Sequence, residues 1–376
     1  MEYRGNKKWV SAWGNAMSVT DRTAAGYGKD ITFRYLIKIP FAGEKLKITL
    51  DNFCGKEAVT FSSVALGVNG ELLPVTFDKR SSVCVPAGGT VVSDALPCAV
   101  KAGDTVSVGF YCRDYTELRS GVVTTGPLSQ GWFSFGNHLT EEVLPLENTR
   151  KTKVCYFLSD VSVWTDERNG AVVCYGDSIT AQSWPEYLAE ELSGGNVSVV
   201  RKAASGTRIL RQYSCATYES YGLCAKVRFP HELPSVNGAN AIVIQQGIND
   251  IIHPVGEDVN PFRPWSDLPT AEELIDGLKY YITEAKKTGL KVYLGTLLPI
   301  EGWRTYAPFR EELKERVNEF IRTAEGVDGV IDFDLVVRDK KNPAAFASGF
   351  DSGDHLHPSE EAYKAMAKEA FRVLRG

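Results

Sequence analysis

Several classes of protein are excluded by what this chain of 376 residues lacks. No stretch approaches the roughly 20 consecutive apolar residues of a membrane span, and the opening MEYRGNKKWV leads into no apolar run of the kind found in a secretory signal. A basic excess is missing too, because 42 Lys and Arg stand against 47 Asp and Glu. We therefore expect a cytoplasmic protein that partners neither membranes nor nucleic acids.

The sequence also lacks paired cysteine motifs, internal repeats and low-complexity tracts. Its eight cysteines include no CxxC pair, and none stands in a motif for a nucleophile. We expect them to be reduced, buried side chains of a cytoplasmic protein. Hydrophobic residues make up 43% and charged residues 24%, an ordinary globular composition that argues against disorder. At about 150 residues per domain, the length predicts two domains.

The first part of the chain, to about residue 165, has the pattern of β structure. Short β-branched or alternating runs are separated by Gly, Pro, Asn and Asp turns, as in ITFRYLIKI, KLKITL, VTFSSVALGV and DTVSVGFYC. KVCYFLSDVSVW (153–164) is predicted to be one more strand, and TDERNG (165–170) to be a connector. We predict an all-β sandwich domain, resembling a jelly roll, over residues 1–168.

Beyond residue 170 the pattern alternates between strands and helices. The predicted strands, short and β-branched as expected for burial on both faces, are AVVCY (171–175), VSVV (197–200), AIVIQ (241–245), KVYLGT (291–296) and GVIDFD (329–334). The predicted helices are WPEYLAEEL (184–192), AEELIDGLKYYITEAKK (271–287), FREELKERVNEFIRTA (309–324) and SEEAYKAMAKEAFRVLR (359–375). This alternation predicts a three-layer α/β/α domain with a parallel sheet over residues 169–376.

In such a sheet, ligands bind beyond the carboxyl ends of the strands. The first predicted strand is followed by GDSIT (176–180), which places Ser178 on a tight turn whose main-chain N–H groups can stabilise an oxyanion. Gly206 follows the second strand and can bring its N–H close to a substrate, and Asn249 follows the third and can offer a side-chain NH₂. The alternative is that each segment is only a tight turn, which these residue types favour.

The loop before the last helix contains two of the chain's five histidines beside acidic residues. A serine nucleophile needs a base, and the base needs a group that orients it. Asp354 can accept the Nδ1 proton of His357 while Nε2 faces Ser178. In the alternative interpretation, His355 and His357 form a surface pair or part of a metal site.

Taken together and in order, GDSIT (176–180), SG (205–206), GIND (247–250) and DHLH (354–357) resemble the four motifs of the SGNH or GDSL esterases and acylhydrolases. The resemblance covers the whole second domain. It extends to the first, where WVSAWG (9–14) and the β-rich stretch are similar to a two-domain bacterial branch of arylesterases and carbohydrate acetylesterases.

The resemblance implies roles for individual residues. Ser178 would be the nucleophile, His357 the base and Asp354 its orienting carboxylate, while the Ser178 and Gly206 amides and Asn249 would form the oxyanion hole. The sequence departs from the family pattern at Ile179, where Leu is usual. It also departs at Arg201 and Ala203, where the family has Asn and Gly ahead of the second motif's glycine.

Two other classes of function remain as alternatives. The fragments GNH (136–138), GD (176–177) and GDHLH (353–357) are similar to metallophosphoesterase motifs, but GNH precedes GD and is followed by Leu139 rather than an acid. We therefore expect neither a metal nor an organic cofactor. The other alternative is a non-catalytic sugar-binding protein. In either case the first domain is a binding module or a structural partner that completes one wall of the active site, and the missing long linker favours the structural role.

Two loops at predicted strand ends, 253–265 and 299–308, are rich in aromatic residues. The side chains that we expect to contact a sugar ring or its polar groups are Phe262, Arg263, Trp265, Trp303, Arg304 and Tyr306. Simple packing of long loops is an equal alternative. We predict a serine esterase that removes short acyl groups, foremost acetyl, from a small or oligosaccharide alcohol. A general short-chain arylesterase or lipase-like acylhydrolase is the nearest alternative.

Overall fold

The computed structural model describes residues 6–20, 26–123, 126–256 and 260–376. The chain divides into two compact units. The first comprises Met1–Ala171, Leu192–Lys202 and Ser235–Ala239, and the second comprises Val172–Glu191, Ala203–Pro234 and Asn240–Gly376. The predicted boundary between residues 168 and 169 stays a prediction.

The chain up to residue 166 forms β-strands throughout its described part. They are β1 (Lys7–Gly14), β2 (Ser18–Val19), β3 (Tyr27–Gly28), β4 (Ile31–Lys38), β5 (Gly43–Asp51), β6 (Val59–Phe61), β7 (Ser63–Val68), β8 (Glu71–Pro74), β9 (Val83–Val85), β10 (Thr90–Val92), β11 (Leu96–Val100), β12 (Thr105–Cys112), β13 (Thr116–Glu117), β14 (Ser120–Val123), β15 (Ser129–Phe135), β16 (Thr149–Thr152), β17 (Val154–Tyr156) and β18 (Leu158–Asp166).

Two antiparallel sheets dominate this region. One has the order β1-β18-β5-β10, with β11 also paired to β5, and the other has the order β16-β15-β4-β12-β7-β8. Aromatic rings fill the interior, where Phe110 lies 5.4 Å from Phe33 and 5.1 Å from Phe61 between ring centroids. The antiparallel pairing confirms the prediction of an all-β N-terminal region.

The predicted strand over 153–164 is in fact two strands, β17 and β18. Phe157 separates them with a φ of +60°, a backbone conformation that residues other than glycine rarely adopt. Its ring is fully buried and lies 5.4 Å from Phe61 and 6.3 Å from Phe110. Burial of this ring offsets the cost of the backbone conformation, and the turn carries no glycine or proline that would reveal it in the sequence.

The remainder of the chain alternates strands with helices. The strands are β19 (Gly170–Gly176), β20 (Val197–Ala203), β21 (Ala239–Gln245), β22 (Lys291–Gly295) and β23 (Gly329–Ile331). The helices are α1 (Ser178–Ala181), α2 (Trp184–Glu191), α3 (Ala225–Glu232), α4 (Ile248–Ile252), α5 (Ala271–Lys287), α6 (Pro308–Arg322), α7 (Phe333–Val337) and α8 (Glu360–Arg375), with 3₁₀ segments at Ala216–Tyr221 and Trp265–Asp267. In these residue ranges, no helix is both long enough and apolar enough to cross a membrane.

The five later strands form one parallel sheet in the order β20-β19-β21-β22-β23. This arrangement confirms the predicted α/β fold class of the C-terminal region. The strand order reverses at β19, so the loops after β19 and β21 leave the sheet side by side at a topological switch point. The GDSIT and GIND segments, over residues 176–180 and 247–250, lie at these two strand ends and lead into α1 and α4.

The edge strand β20 is held by contacts with the early part of the chain. The buried Lys202 ammonium donates hydrogen bonds to the Asn15 and Ser159 carbonyls at 2.9 and 3.0 Å. The Ser198 hydroxyl donates to the Ser11 carbonyl at 2.6 Å. Since buried polar groups need such partners, these contacts explain why Leu192–Lys202 belongs to the first compact unit.

The helix predictions are confirmed where local capping signals are strong. α5 has the predicted bounds because Thr270 and Glu273 form a capping box, and α8 begins after Ser359, whose hydroxyl accepts the Ala362 N–H at 3.3 Å. The predicted strand at 329–334 is shorter than expected. The Asp332 side chain instead caps α7 by accepting the Leu335 N–H at 3.1 Å.

Candidate active site

Ser178 is the first residue of α1 and lies two positions after the end of strand β19. The turn depends on Gly176, because a Cβ there would lie 2.3 Å from the Gln245 carbonyl oxygen. Asp177 caps the short helix by accepting the Ile179 N–H at 3.1 Å. Ser178 is thereby held with 8% of its surface exposed.

His357 and Asp354 lie next to this serine, although His357 is 179 positions away in the sequence. His357 Nε2 lies 2.9 Å from Ser178 Oγ. His357 Nδ1 lies 2.6 Å from Asp354 Oδ2. With the proton on Nδ1 donated to Asp354, Nε2 accepts a hydrogen bond from the serine hydroxyl. This arrangement can take a proton from the hydroxyl as it attacks a carbonyl carbon.

The Asp354 carboxylate is held ionised by its own loop. Its Oδ1 accepts the Leu356 and His357 N–H groups at 3.0 and 2.8 Å. Burial alone would raise the pKa of Asp354, but hydrogen bonds from the main chain and ring of His357 outweigh it and bring the pKa below its ordinary value. A carboxylate that stays charged can stabilise the imidazolium that forms when His357 takes a proton.

Gly206 and Asn249, the predicted oxyanion donors, follow strands β20 and β21, Gly206 in a loop and Asn249 in the short helix α4. Gly206 has a φ of +79°, and a Cβ there would lie 2.4 Å from the Tyr221 ring. Asn249 is buried in α4, where its Nδ2 donates a hydrogen bond to the Thr207 carbonyl at 3.1 Å. An amide NH₂ has two hydrogens, so this bond orients the group and leaves its second hydrogen for another acceptor.

Asp250 connects the GIND segment to the loop of Gly206, a role that the sequence analysis did not assign. Its buried carboxylate accepts the Ile209 N–H at 2.7 Å and the Leu210 N–H at 3.0 Å. Burial raises the pKa of Asp250 to about 6, although these two hydrogen bonds oppose the rise. The motif contains the residue, but only the tertiary structure shows which backbone it holds.

Arg228 on α3 is a second residue that the sequence analysis missed. Its Nη1 donates to the Thr207 hydroxyl at 2.8 Å and to the Gly176 carbonyl at 3.3 Å. Nε and Nη2 donate to the Glu232 carboxylate at 3.1 and 2.9 Å, and both side chains are almost fully buried. One guanidinium thus ties the strand end before Ser178 to the loop of Gly206.

A further carboxyl with a shifted pKa is Asp177, beside the serine. Burial raises the pKa of Asp177 to about 7, and the charge of Asp250 adds to the rise. The Ile179 N–H and the Arg228 guanidinium oppose it. This carboxyl therefore changes protonation near neutral pH, next to the candidate nucleophile.

Arg310, which is buried in the first turn of α6, holds the start of the first aromatic loop. Its guanidinium donates to the carbonyls of Pro254 and Val255 at 2.7 and 2.9 Å and to that of Ile251. Trp265, 58% exposed, lies 6.0 Å from Phe309 between ring centroids. Residues 257–259 of the first loop lie outside the described ranges.

The loop at 299–308 also reaches the last loop of the chain. A Cβ on Gly302 would lie 2.6 Å from Cγ of His355, so the imidazole ring packs against the backbone of Gly302. The Arg304 guanidinium lies 4.5 Å from the Trp303 ring centroid, and the Tyr306 N–H donates to the Trp303 carbonyl at 2.8 Å. Three of the predicted substrate contacts therefore form one local cluster.

The other histidines near acids make local contacts. His355 Nδ1 lies 2.6 Å from Asp351 Oδ2, so the last loop carries two separate His–Asp pairs. His138, in the GNH fragment, lies in the first unit with Nδ1 2.9 Å from Glu141 Oε1 and Nε2 2.7 Å from the Phe135 carbonyl. Both of its ring nitrogens are engaged there.

At the strand ends of this parallel α/β sheet, a hydroxyl, an imidazole and a carboxylate are in contact. This combination of fold and site defines a class of protein. The chain belongs to the GDSL-like lipase/acylhydrolase family, which matches residues 172–370, more than half of its length. Membership of this family of ester hydrolases implies hydrolysis of a small-molecule acyl ester.

Solved structures similar to this chain come from several bacteria. One is a catalytic mutant of Axe2, an acetylxylan esterase from Geobacillus stearothermophilus, with 18% identity over 55% of this chain and 94% of that chain and a TM-score of 0.40. Another is a lipase/acylhydrolase from Enterococcus faecalis, with 20% identity over 55% and 96% and a TM-score of 0.39. A GDSL-like lipase from Bacteroides thetaiotaomicron has 17% identity over 56% and 90% and a TM-score of 0.39. No curated protein matches the chain.

Proposed function

We propose that this chain is a serine esterase that removes short acyl groups, foremost acetyl, from the oxygen of a carbohydrate or a similar polar alcohol. The observation that carries the proposal is the contact of Ser178 Oγ with His357 Nε2 at 2.9 Å, with Nδ1 of the same ring on Asp354 at 2.6 Å. A nucleophile, a base and an orienting group in contact are the elements that acyl transfer needs.

In the first half of the reaction, Ser178 Oγ bonds to the ester carbonyl carbon while His357 Nε2 takes the hydroxyl proton. The carbonyl oxygen becomes an oxyanion, for which the Ser178 and Gly206 N–H groups and the second Asn249 hydrogen are the donors. His357 then gives its proton to the alcohol oxygen as the carbon–oxygen bond breaks. The alcohol leaves, and the acyl group remains on Ser178.

In the second half, water replaces the alcohol. His357 takes a proton from the water as its oxygen attacks the acyl carbon, and the same donors hold the second oxyanion. When the intermediate collapses, the proton passes to Ser178 Oγ and the carboxylic acid leaves. These steps use only side chains and main-chain groups of this chain.

The preference for a polar alcohol rests on the loops around the site. Trp265 is 58% exposed, and Arg304 is exposed beside Trp303. Aromatic faces with charged donors at their rims suit the apolar face and hydroxyl edge of a sugar better than they suit a long acyl chain.

The decisive experiment combines covalent labelling with a substrate series. We expect an organophosphate to label the protein once and Ser178→Ala to abolish labelling, while Ser214→Ala, which changes an exposed serine, labels normally. Labelling that survives in Ser178→Ala would place the nucleophile elsewhere. Acetylated xylan, mannan and pectin oligosaccharides are then compared with p-nitrophenyl esters of graded length. A strong preference for long-chain aryl esters would overturn the carbohydrate assignment.

A further inference from the structure

Four aromatic side chains form a cluster that the sequence analysis did not single out. Tyr221 lies 4.4 Å from His253 and 5.8 Å from Tyr218 between ring centroids, and Tyr213 lies 5.0 Å from Tyr218 and 5.6 Å from Tyr221. We call these four residues the tyrosine cluster. They come from the loop after Gly206 and the end of α4, so they adjoin both loops that hold the proposed oxyanion donors.

The backbone explains why Tyr218 and Tyr221 form a flat surface. Both belong to the 3₁₀ segment Ala216–Tyr221, and in a 3₁₀ helix side chains three positions apart are eclipsed. Their ring planes are accordingly only 27° apart. Both side chains are half-buried, so one part of each ring packs inward and another remains accessible.

The tyrosine cluster packs against the proposed oxyanion hole through Tyr221. The Tyr221 ring occupies the space where Gly206 lacks a Cβ, at 2.4 Å from the position of that atom. His253 directly follows α4, and its main-chain N–H donates to the Asn249 carbonyl at 3.2 Å as the last hydrogen bond of that helix. A substrate with its carbonyl oxygen between Gly206 and Asn249 would have part of its structure beside Tyr221.

Two arginines lie over the faces of two of these rings and hold the cluster in place. The Arg208 guanidinium lies 4.2 Å from the Tyr213 ring centroid and pairs with Asp267 at 2.9 Å, and that of Arg263 lies 5.0 Å from the Tyr218 ring centroid. Rings fixed by charged neighbours lose little conformational entropy on binding. Aromatic faces that carry hydroxyls at their edges match a ring that has one apolar face and a hydroxylated edge.

We propose that Tyr218 and Tyr221 form the subsite that holds the sugar ring of the alcohol half of the substrate. This inference deepens the proposed function and rests on it for the identity of the reacting ester. It assigns the contact with the ring nearest the ester bond to the tyrosine cluster. The loops around Trp265 and Trp303 are then left for more distant parts of a longer substrate.

The test measures binding without turnover, in the full chain carrying Ser178→Ala. An acetylated xylo-oligosaccharide is titrated calorimetrically into this protein and into the same protein with Tyr218→Ala added. Loss of one stacking ring should raise Kd by roughly 3- to 10-fold. Tyr218 is the decisive position, because Tyr221→Ala would also remove the ring that packs against Gly206. Tyr280→Ala, which removes a half-buried tyrosine from α5, is the matched control and should leave Kd unchanged.

Kinetic measurements on the active protein, with Ser178 intact, distinguish a sugar ring from any other ring. Tyr218→Ala should raise KM for the acetylated oligosaccharide by a similar factor and leave KM for ethyl acetate, which has no ring, unchanged. An equal loss with p-nitrophenyl acetate would overturn the sugar assignment in favour of an aryl group. A Kd within twofold of the parent protein would overturn the subsite itself.

The outcomes for the subsite and for the reaction are distinguishable. If the protein is neither labelled nor active but binds the oligosaccharide in a way that depends on Tyr218, the proposed reaction fails and the subsite stands. If labelling and hydrolysis are normal but Tyr218→Ala binds as well as its parent, the reaction stands and the subsite is wrong.

Discussion

The two halves of the candidate site are built in opposite ways. The segments that carry Ser178, Gly206 and Asn249 are buried, and groups distant in the sequence hold them. Arg228 on α3 donates hydrogen bonds to Gly176 and Thr207, and Asp250 accepts the N–H groups of residues 209 and 210. We call this the nucleophile half. It is fixed by tertiary structure, since its contacts exist only when several elements have come together.

The loop that carries Asp354 and His357, which we call the base half, is stabilised by itself. The Asp354 carboxylate accepts N–H groups two and three positions away, and Asp351 accepts those of Gly353 and His355. The side chains of His357 and Asp354 are 26% and 43% exposed. The base half can therefore open locally, whereas the nucleophile half should open only when its domain unfolds.

The largest expected effect is on kcat, and it tests whether the reaction needs both halves although they are stabilised differently. Ser178→Ala and His357→Asn should each lower kcat by about 10⁴-fold or more, because a nucleophile and its base act as a unit. The double variant should be no worse than either single one. Additive losses, measured in kcat for an acetyl ester, would show that the two residues act independently.

The next effect concerns stability and separates the halves. Arg228→Met leaves the Glu232 carboxylate buried and unpaired, which typically costs about 3–5 kcal/mol in free energy of unfolding. Asp351→Asn, in the base half, should cost no more than about 1 kcal/mol. Urea denaturation measures both changes. Arg228→Met combined with Glu232→Leu is the control, and it should recover much of the lost stability because no lone charge remains.

A third variant tests the contribution of a single donor in the nucleophile half. Asn249→Ala removes one proposed oxyanion donor, and losses of this kind typically amount to about 2.7–4 kcal/mol, or 10²–10³ in kcat. KM should change little, because the donor acts mainly in the transition state. A rate within tenfold of the unmodified protein would remove Asn249 from the oxyanion hole. Asn249→Asp, which keeps the shape and loses the NH₂ group, should be equally slow.

The last effect is a pH dependence of stability that has opposite signs in the two halves. The pKa of Asp177 is raised from 3.8 to about 7 and that of Asp250 to about 6, so the folded protein binds more protons than the unfolded chain between about pH 4 and 7. The nucleophile half thus loses stability as pH rises through this range. The pKa of Asp354 is lowered, so its contribution is present above the ordinary Asp pKa and is lost as pH falls through the lowered value.

Asp177→Asn separates these opposing contributions, because the amide imitates the neutral acid at every pH. We expect its free energy of unfolding, from urea denaturation at several pH values, to fall less between pH 4 and 7 than that of the unmodified protein. Asp30→Asn, at an exposed carboxyl of the first unit, is the control and should keep the original slope. An unchanged slope in Asp177→Asn would show that the buried carboxyl does not carry the effect.

The sequence predicts the base half of the site better than the nucleophile half. Signals within a few residues predict helix α5 from Thr270 and Glu273, helix α8 from Ser359, and the pairing of Asp354 with His357. The base half is encoded by such local spacing, which is why its geometry could be anticipated from one loop.

The nucleophile half contains residues that no local pattern reveals. Arg228 and Glu232, four positions apart, resemble an ordinary exposed pair on a helix, yet both are buried and the arginine reaches Gly176 and Thr207. The Tyr221 ring against Gly206 is equally invisible, since it depends on how one loop folds back on another. Sequence reasoning finds the chemical groups but not the contacts that fix them.

The packing of Tyr221 against Gly206 has a consequence for attempts to redesign this protein. Any side chain introduced at position 206 would have to displace the ring and would also face the strain of a φ of +79°. A substitution at position 206 or 221 therefore changes the reaction rate and the substrate selectivity together. A library that varies either position would mostly return inactive clones. Position 218 offers the more permissive route to a new specificity, since its half-buried ring does not fill the space above that glycine.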